Sequence, residues 1–413
     1  MYSVRKLKIE HTEQTDALAL ASGELHSRTV VSFWRTVRKK GIWLKPSSMM
    51  RWQNSDQLHA HSADAVVQSF YASLKSWRTL RKTDPNARPP KKRRRFYRVQ
   101  WKNSAIRVRN GSLILSNGKG NLSLNIPWQW NIPALVELGW NGIGYELRAI
   151  YSATPTGVPL GIKIAGVDLG EIHLATTHDG EGCNIYNGRY LRSVRRYQNK
   201  RKAEINSILD RKKKGSIRSK RLKHSKRRTL TKLDHQINDI LHKQTTKLVS
   251  TLHERGVKTV VIGDVRDIRK GLDYGKKANQ KMHQWLYGDT RWMISYKAER
   301  LGMEVVLQEE AYTSQTCPVC GALHKPNGRE YRCPNCGFRY HRDGVGAFNI
   351  RAKYLGSLGS PVVGAMASPT GVRYAVQRCS CKRERIPLAL AMGRTSMDKE
   401  RGGVFVSSGC LYA

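Results

Sequence analysis

The spacing of four cysteines constrains this 413-residue chain more than any other feature. "CPVC" at 317–320 and "CPNC" at 333–336 form two Cys-x2-Cys pairs, and four thiolates so arranged suit a tetrahedral zinc site. Cys317, Cys320, Cys333 and Cys336 would fill every coordination position, so one Zn²⁺ held there is structural and not catalytic. A glycine follows each second cysteine (Gly321, Gly337), providing the permissive backbone that a tight metal knuckle needs. Cys183, Cys379, Cys381 and Cys410 form no further pair of this kind and read as free thiols. The pattern is that of a metal protein in a reducing compartment, not a disulfide framework.

Charge narrows the class of partner. With 74 Lys+Arg against 31 Asp+Glu the net charge is +43, far beyond what solubility requires, and a polyanion is the economical explanation. The positive residues are spread over "RPPKKRRRFYRVQWK", "RSVRRYQNKRK" and "RKKKGSIRSKRLKHSKRR", which suits an extended channel around a strand or duplex. Nothing approaches eighteen consecutive apolar residues, and the start lacks the apolar core of a signal peptide. The expectation is a cytoplasmic protein with no membrane partner.

The hydrophobic pattern divides the chain. Val67, Phe70, Leu74 and Trp77 recur at helical spacing over 62–81, behind Ser62 as an N-cap. From about 94 to 152 short β-rich segments separated by Asn-Gly and other Gly-rich turns predict a compact antiparallel sheet or barrel. Beyond the Pro- and Gly-rich "SATPTGVPLG", the order changes to strand, strand, long helix over 229–255, strand, helix, strand, an α/β sheet with carboxylates at its strand ends. From about residue 355 periodicity fades, and the tail over 357–413 is expected to be loosely ordered, with "RYAVQRC" and "IPLALAM" as the stretches able to dock.

Asp168, ending the strand in "GVDLG", and Asp343, opening a helix in "HRDGVGAFNI", are the first acids of interest. Hydrolysis of a phosphodiester by two Mg²⁺ ions needs several carboxylates at one point, each free to come from a distant element. A lone acid at such a terminus is ordinarily a cap. In combination, "GVDLG", "VVIGDVRDIRKG" and "YTSQTCPVCG…YRCPNCGFRYHRDGVGAFNI" resemble the TnpB family of transposon-encoded RNA-guided nucleases, whose motifs the compact type V CRISPR effectors share. The likeness is close over 162–352. It implies an α+β multidomain chain: a wedge-like β-barrel (1–20 and 94–158), an inserted helical recognition lobe (21–93), a RuvC-like, RNase H-like nuclease domain (159–311 and 341–356) and a zinc ribbon (312–340). It further implies a guide RNA from the protein's own element and a double-stranded target DNA. One protein per RNA and cleavage beside a short duplex motif, with 5′-phosphate products, are the matching expectations.

One departure from the family pattern raises a question. Where most members carry a glutamate ending the strand "TVVIGD", this chain has Gly263 followed by Asp264. Either Asp264 stands in from the next position, although alternation along a strand aims it at the opposite face, or the third acid comes from "MEVVLQEEAYTS". There Glu310 occupies the place of a rearranged glutamate found in some relatives, while Glu309 faces away. An incomplete site would leave a guided DNA-binding repressor without nuclease activity. His341 and Arg342 flank Asp343 as candidates for phosphate binding or packing. Candidate nucleic-acid contacts are Lys91, Lys92, Arg93, Arg94, Arg95, Arg78 and Arg81. Trp77, Trp101, Trp128 and Trp130 are readable either as base-stacking platforms or as core.

Overall fold

The computed structural model describes residues 2–92, 95–152, 157–266, 273, 275–357 and 366–374. Arg93, Arg94, Cys379, Cys381, Cys410 and most of the C-terminal tail lie outside the described residues. The chain opens with strand β1 (Tyr2–Ile9) and helices α1 (Glu13–Lys40), α2 (Pro46–Trp52) and α3 (Ala60–Arg81). Strands β2 (Val99–Lys102), β3 (Ile106–Arg109), β4 (Ser112–Leu115), β5 (Leu124–Pro127), β6 (Leu135–Trp140) and β7 (Tyr145–Ser152) follow.

These strands form two antiparallel sheets, ordered β1-β7-β6-β2 and β3-β4-β5, with no ladder joining them among the described residues. Their alternating residues share one core, with Val99, Trp101, Leu113, Val136 and Leu147 fully buried in it. Trp101 donates to Asn117 Oδ1 (3.2 Å) and Trp128 to the Asn131 carbonyl (3.1 Å). Both indoles are spent on packing and hydrogen bonds, so neither offers a face for stacking a base.

The helical segment begins at Glu13 instead of 21, because Thr12 and Thr15 cap it reciprocally, each side chain meeting the other's backbone N–H. Helix α3 likewise starts at Ala60, where His59 Nδ1 accepts from His61 N (3.1 Å), and Ser62 is buried inside it. Val67, Phe70 and Leu74 face Phe33 and Met49 as their spacing predicts. Trp77 packs beside them and donates to the Ala87 carbonyl (2.9 Å).

The second half carries β8 (Lys163–Asp168), β9 (His173–His178), β10 (Cys183–Asn187), α4 (Arg189–Asp210), α5 (Ile217–Glu254) and β11 (Val257–Asp264). Then come α6 (Gly275–Gln284), α7 (Tyr287–Arg300), β12 (Glu304–Glu309), β13 (Glu330–Arg332), β14 (Arg339–His341), α8 (Arg342–Tyr354) and β15 (Thr370–Val372). Six of these strands make one mixed sheet ordered β12-β11-β8-β9-β10-β15. β8, β9 and β10 meander antiparallel, while β11 and β12 run parallel to β8.

Helix α5 lays Leu233, Ile237, Leu241, Leu248 and Leu252 into the core that Val260 and Ile262 of β11 share. It starts at Ile217, with Ser216 as N-cap, well before 229: its first turns are basic and leave no apolar stripe to read. One stretch of the tail is ordered, and it includes the start of "RYAVQRC". Thr370–Val372 adds an edge strand parallel to β10, and Tyr374 stacks on Tyr190 with ring centroids 5.4 Å apart. A three-residue strand is too short to show alternation.

Leu241 is fully buried where α5 meets the sheet. Leu241→Ala is expected to lower the unfolding free energy by about 2–5 kcal/mol, read from the urea midpoint. A loss under about 1 kcal/mol would contradict this seating of α5.

Candidate active site and metal knuckles

A different element positions each carboxylate. Asp168 is the last residue of β8 and Asp343 lies in the first turn of α8. Helix and strand touch because two positions lack side chains. A Cβ on Gly166 would lie 2.8 Å from the Arg351 nitrogen, and one on Gly346 would lie 2.7 Å from Asp168 Oδ2. Arg351 Nε donates to the Ile164 carbonyl (2.8 Å), tying the far end of the helix to the start of the strand. His341 caps α8 by accepting from Asp343 N through Nδ1 (3.2 Å), so the Asp343 charge sits at the positive end of the helix dipole.

Gly263 explains how a third acid fits. In the parallel ladders, Ile262 is level with Val167 of β8 and with Leu307 of β12. One step further sets Gly263 beside Asp168, and laterally adjacent residues of a sheet present the same face. A side chain at 263 would therefore point toward Asp168, and one at 264 away from it. Asp264 meets Arg266 Nε (2.7 Å) and Arg291 Nη1 (3.8 Å), and the Arg266 hydrogen bond holds its carboxyl below the usual range. The space over Gly263 belongs to Glu310: a Cβ there would stand 2.6 Å from both Glu310 Cγ and Cδ. Glu309 is exposed and reaches Lys353 Nζ (3.2 Å).

The turn after Glu310 is fixed from both sides. Tyr312 adopts φ +65°, a left-handed conformation costly for a bulky side chain. Thr313 donates to the Glu310 carbonyl through both N (3.1 Å) and Oγ1 (2.9 Å). Asn349 of α8 then bonds the carbonyls of Thr313 and Thr316, each at 2.7 Å. The helix that carries Asp343 thereby also clamps the turn that aims Glu310.

Asp168, Glu310 and Asp343 line one cavity of about 500 Å³, together with His173, Arg329 and Arg342. Burial, then the charges of Glu310 and Asp343, raise the Asp168 carboxyl well above its ordinary range. Burial, then the charge of Asp264, pushes Glu310 up to about 7. Burial acts on Asp343 in the same sense, but His173 Nδ1 (2.7 Å from Oδ2) and Arg329 Nη1 (2.9 Å) outweigh it and bring its carboxyl below the usual value. Glu310 Oε1 is buried without a hydrogen-bond partner. An unpartnered oxygen among mutually repelling carboxylates fits a bound divalent cation, whose charge would relieve the repulsion. His173 and Arg329 escaped the sequence reading: neither belongs to a readable motif, and only the fold brings them to Asp343.

The cysteines converge as their spacing predicts. All four sulfurs lie within 4.8 Å of one another, with Cys317–Cys336 at 3.6 Å and Cys320–Cys333 at 3.5 Å. Tetrahedral metal–sulfur bonds of about 2.3 Å set sulfurs about 3.8 Å apart, whereas a disulfide needs about 2.05 Å. The two knuckles are matched: Gly321 N bonds Cys317 O and Gly337 N bonds Cys333 O, both at 3.0 Å, with φ +69° and +74°. Cys183 is a separate buried thiol.

Among the described basic candidates, Lys92 and Arg95 line one cleft and Arg78 another. Lys92 and Arg95 line a cleft of about 910 Å³ with Arg28 and Arg35 of α1. Arg78 lies over the Trp43 ring (5.1 Å) and Arg81 over Trp77 (5.4 Å), while Lys91 is exposed.

Between about pH 4.5 and 7, folded Glu310 keeps a proton that the unfolded chain has released. Its contribution to stability is therefore lost as pH rises through that window. Without added divalent cation, wild type is expected to lose about 1–3 kcal/mol relative to Glu310→Gln between pH 5 and 7.5, by denaturant unfolding. Parallel profiles would show that Glu310 does not titrate in this window.

Two family models match adjoining parts of this domain: "Probable transposase" (OrfB_IS605) over residues 149–269 and "Cas12f1-like, TNB domain" over 287–350. A TnpB-like protein of Methanocaldococcus jannaschii is 31% identical over 137 residues, covering 32% of this chain and 49% of that protein. A CRISPR-associated endodeoxyribonuclease Cas12f1 of Sulfoacidibacillus thermotolerans is 27% identical over 198 residues, covering 46% and 45%. The matched stretch thus spans about half the length of these relatives. The solved chain of a Cas12f1–sgRNA–target DNA complex superposes with a TM-score of 0.57 at 12% identity, over 82% of this chain and 81% of that one, a likeness of fold. Over residues 149–350 this chain is thus similar to TnpB-like proteins and to Cas12f1 effectors.

Proposed function

We propose that this chain is an RNA-guided DNA endonuclease of a transposon, cutting target DNA beside a short duplex motif by two-metal-ion hydrolysis. The observation that carries the reading is the meeting of Asp168, Glu310 and Asp343 in one cavity, with a Glu310 oxygen left unpartnered. The relatives named as endonucleases support it, and the net charge of +43 suits a protein that holds both an RNA and its target.

In this reading the six-stranded sheet is the RuvC-like, RNase H-like domain, and the antiparallel meander continued by parallel β11 and β12 supports the assignment. The two N-terminal sheets act as the wedge, α1 to α3 as the recognition lobe, and the cysteine knuckles hold a structural Zn²⁺. Two Mg²⁺ ions, when bound by Asp168, Glu310 and Asp343, would supply an activated water and neutralise charge developing on the phosphate. His173 and Arg329 keep Asp343 ionised and oriented toward the cavity. Arg342 adds positive charge beside Asp168, in reach of an entering phosphate. The N-terminal cleft with Arg28, Arg35, Lys92 and Arg95 is the candidate contact to the duplex or guide. One protein per guide RNA in the cytoplasm completes the proposal.

The alternative, a guided repressor that only occupies DNA, rests on Gly263 lacking a carboxylate. The filling of that space by Glu310 favours the nuclease. With the protein purified alongside its co-expressed RNA, wild type is expected to cut a plasmid library in Mg²⁺. Glu310→Ala should lose at least about 100-fold in rate, about 2.7 kcal/mol of barrier, while keeping target binding. Asp264→Ala should cut within a few-fold of wild type. The reverse order would return the role to Asp264, and guided binding with no cutting by wild type would establish the repressor.

A further inference from the structure

We infer that His173, His341 and Asp343 form a second metal site, selective for zinc-class transition ions over Mg²⁺, and that filling it takes Asp343 out of the acid cavity and stops cutting. The inhibitory half of this inference rests on the proposed endonuclease reading; the binding half does not.

Among the described residues, these three are the one group besides the cysteine knuckles whose ligand atoms all lie within 4.8 Å of one another. His173 opens β9, His341 closes β14 and Asp343 lies in the first turn of α8. His173 Nδ1 stands 2.7 Å from Asp343 Oδ2, and the two imidazole rings are 5.1 Å apart between centroids. All three side chains are half-buried, yet the group has an approach from outside. His173 and His341 line a cleft of about 600 Å³ with Arg339 and Tyr340, while His173 and Asp343 line the acid cavity. Arg329 shares the Asp343 carboxylate (2.9 Å), but its side chain is 47% exposed and moves into solvent without burying its charge.

Ligand type sets the selectivity. Mg²⁺ favours hard oxygen ligands and keeps much of its water, so the all-carboxylate trio suits it. Imidazole nitrogen instead favours Zn²⁺, Co²⁺ and Ni²⁺. Two histidines with one carboxylate form a three-ligand set for zinc, with a fourth position left to water.

Occupation has a structural consequence that makes the site a switch. A neutral imidazole carries one nitrogen lone pair, and in His341 that pair, on Nδ1, accepts from Asp343 N (3.2 Å) and caps α8. It serves the helix or an ion but not both, whichever nitrogen ligates. Ligands about 2.1 Å from a tetrahedral ion stand about 3.4 Å apart, closer than the 4.8 Å span of the group, and the ring of His341 released from its cap supplies the movement. Filling the site therefore uncaps the helix that carries Asp343 and engages the carboxylate that the acid cavity needs.

The test uses the full chain in complex with its RNA, the knuckles loaded with Zn²⁺ and excess Mg²⁺ present to cover the RNA, titrated with Co²⁺ and followed by visible absorption. Wild type is expected to take up Co²⁺ with the weak bands of nitrogen and oxygen ligation. His341→Asn keeps a side-chain oxygen to cap α8 and removes the imidazole. It should lower Co²⁺ affinity at least about tenfold, whereas His224→Asn, an exposed histidine of α5, should not change it. In Mg²⁺-dependent cutting of a guided target, the Zn²⁺ concentration that halves the rate should rise at least about tenfold in His341→Asn, each protein being compared with its own zinc-free rate. Equal Co²⁺ affinity in wild type and His341→Asn would overturn the inference, as would a thiolate-to-cobalt charge-transfer band, which would place the ion in the knuckles. Cutting that persists at saturating Zn²⁺ would overturn the sharing of Asp343. A wild type that binds Co²⁺ but never cuts would contradict the nuclease reading alone, since the bands are measured independently of cleavage.

Discussion

The carboxylate of Glu310 and a side chain at residue 263 cannot occupy the same space, and the site is organised around that exclusion. Gly263 is level with Asp168 in the sheet and carries nothing beyond its Cα, so the face it leaves open receives a carboxylate from the neighbouring strand end. A ligand set depends on where oxygen atoms converge and not on which strand supplies them. The bare position on β11 and the turn after β12 are two halves of one arrangement. Asp264, one residue further on, is turned to Arg266 and Arg291 and pairs with them.

Helix α8 is the strut on which the arrangement rests. It presents Asp343 at its N-terminus, lies on β8 through Gly166 and Gly346, and grips the turn after Glu310 through Asn349. One helix therefore sets the relative positions of all three acids. Burying three carboxylates together is unfavourable: Asp168 and Glu310 are both driven toward their protonated forms, while His173 and Arg329 keep Asp343 charged. Sites that perform chemistry commonly carry such strain, and here a bound cation is the natural relief. The cysteine knuckles, just beyond the clamped turn and just before α8, hold together the two chain segments that deliver Glu310 and Asp343.

Much of this was legible in the sequence, for local reasons. Paired cysteines with a glycine after each second thiol report a knuckle wherever they occur, and both glycines adopt the positive φ that the turn requires. Strand alternation separates Glu309 from Glu310 and Asp264 from its neighbour before any coordinates are consulted. The features that escaped reading are those made by distance or brevity. His173 meets Asp343 across 170 positions of sequence, a contact that no spacing rule encodes. β15 is too short for a period, the first turns of α5 have no apolar stripe, and alternating β segments predict strands without saying how they divide into sheets.

A reciprocal exchange tests the central claim most directly: guided cleavage by Glu310→Ala, by Gly263→Glu and by the double variant, with target binding as the control for folding. If Glu310 supplies the acid that Gly263 has vacated, Glu310→Ala abolishes cutting, and Gly263→Glu impairs it by colliding with the resident carboxylate. The double variant should then recover a substantial part of the wild-type rate. A double variant that cuts no better than Glu310→Ala, while binding its target normally, would contradict the account.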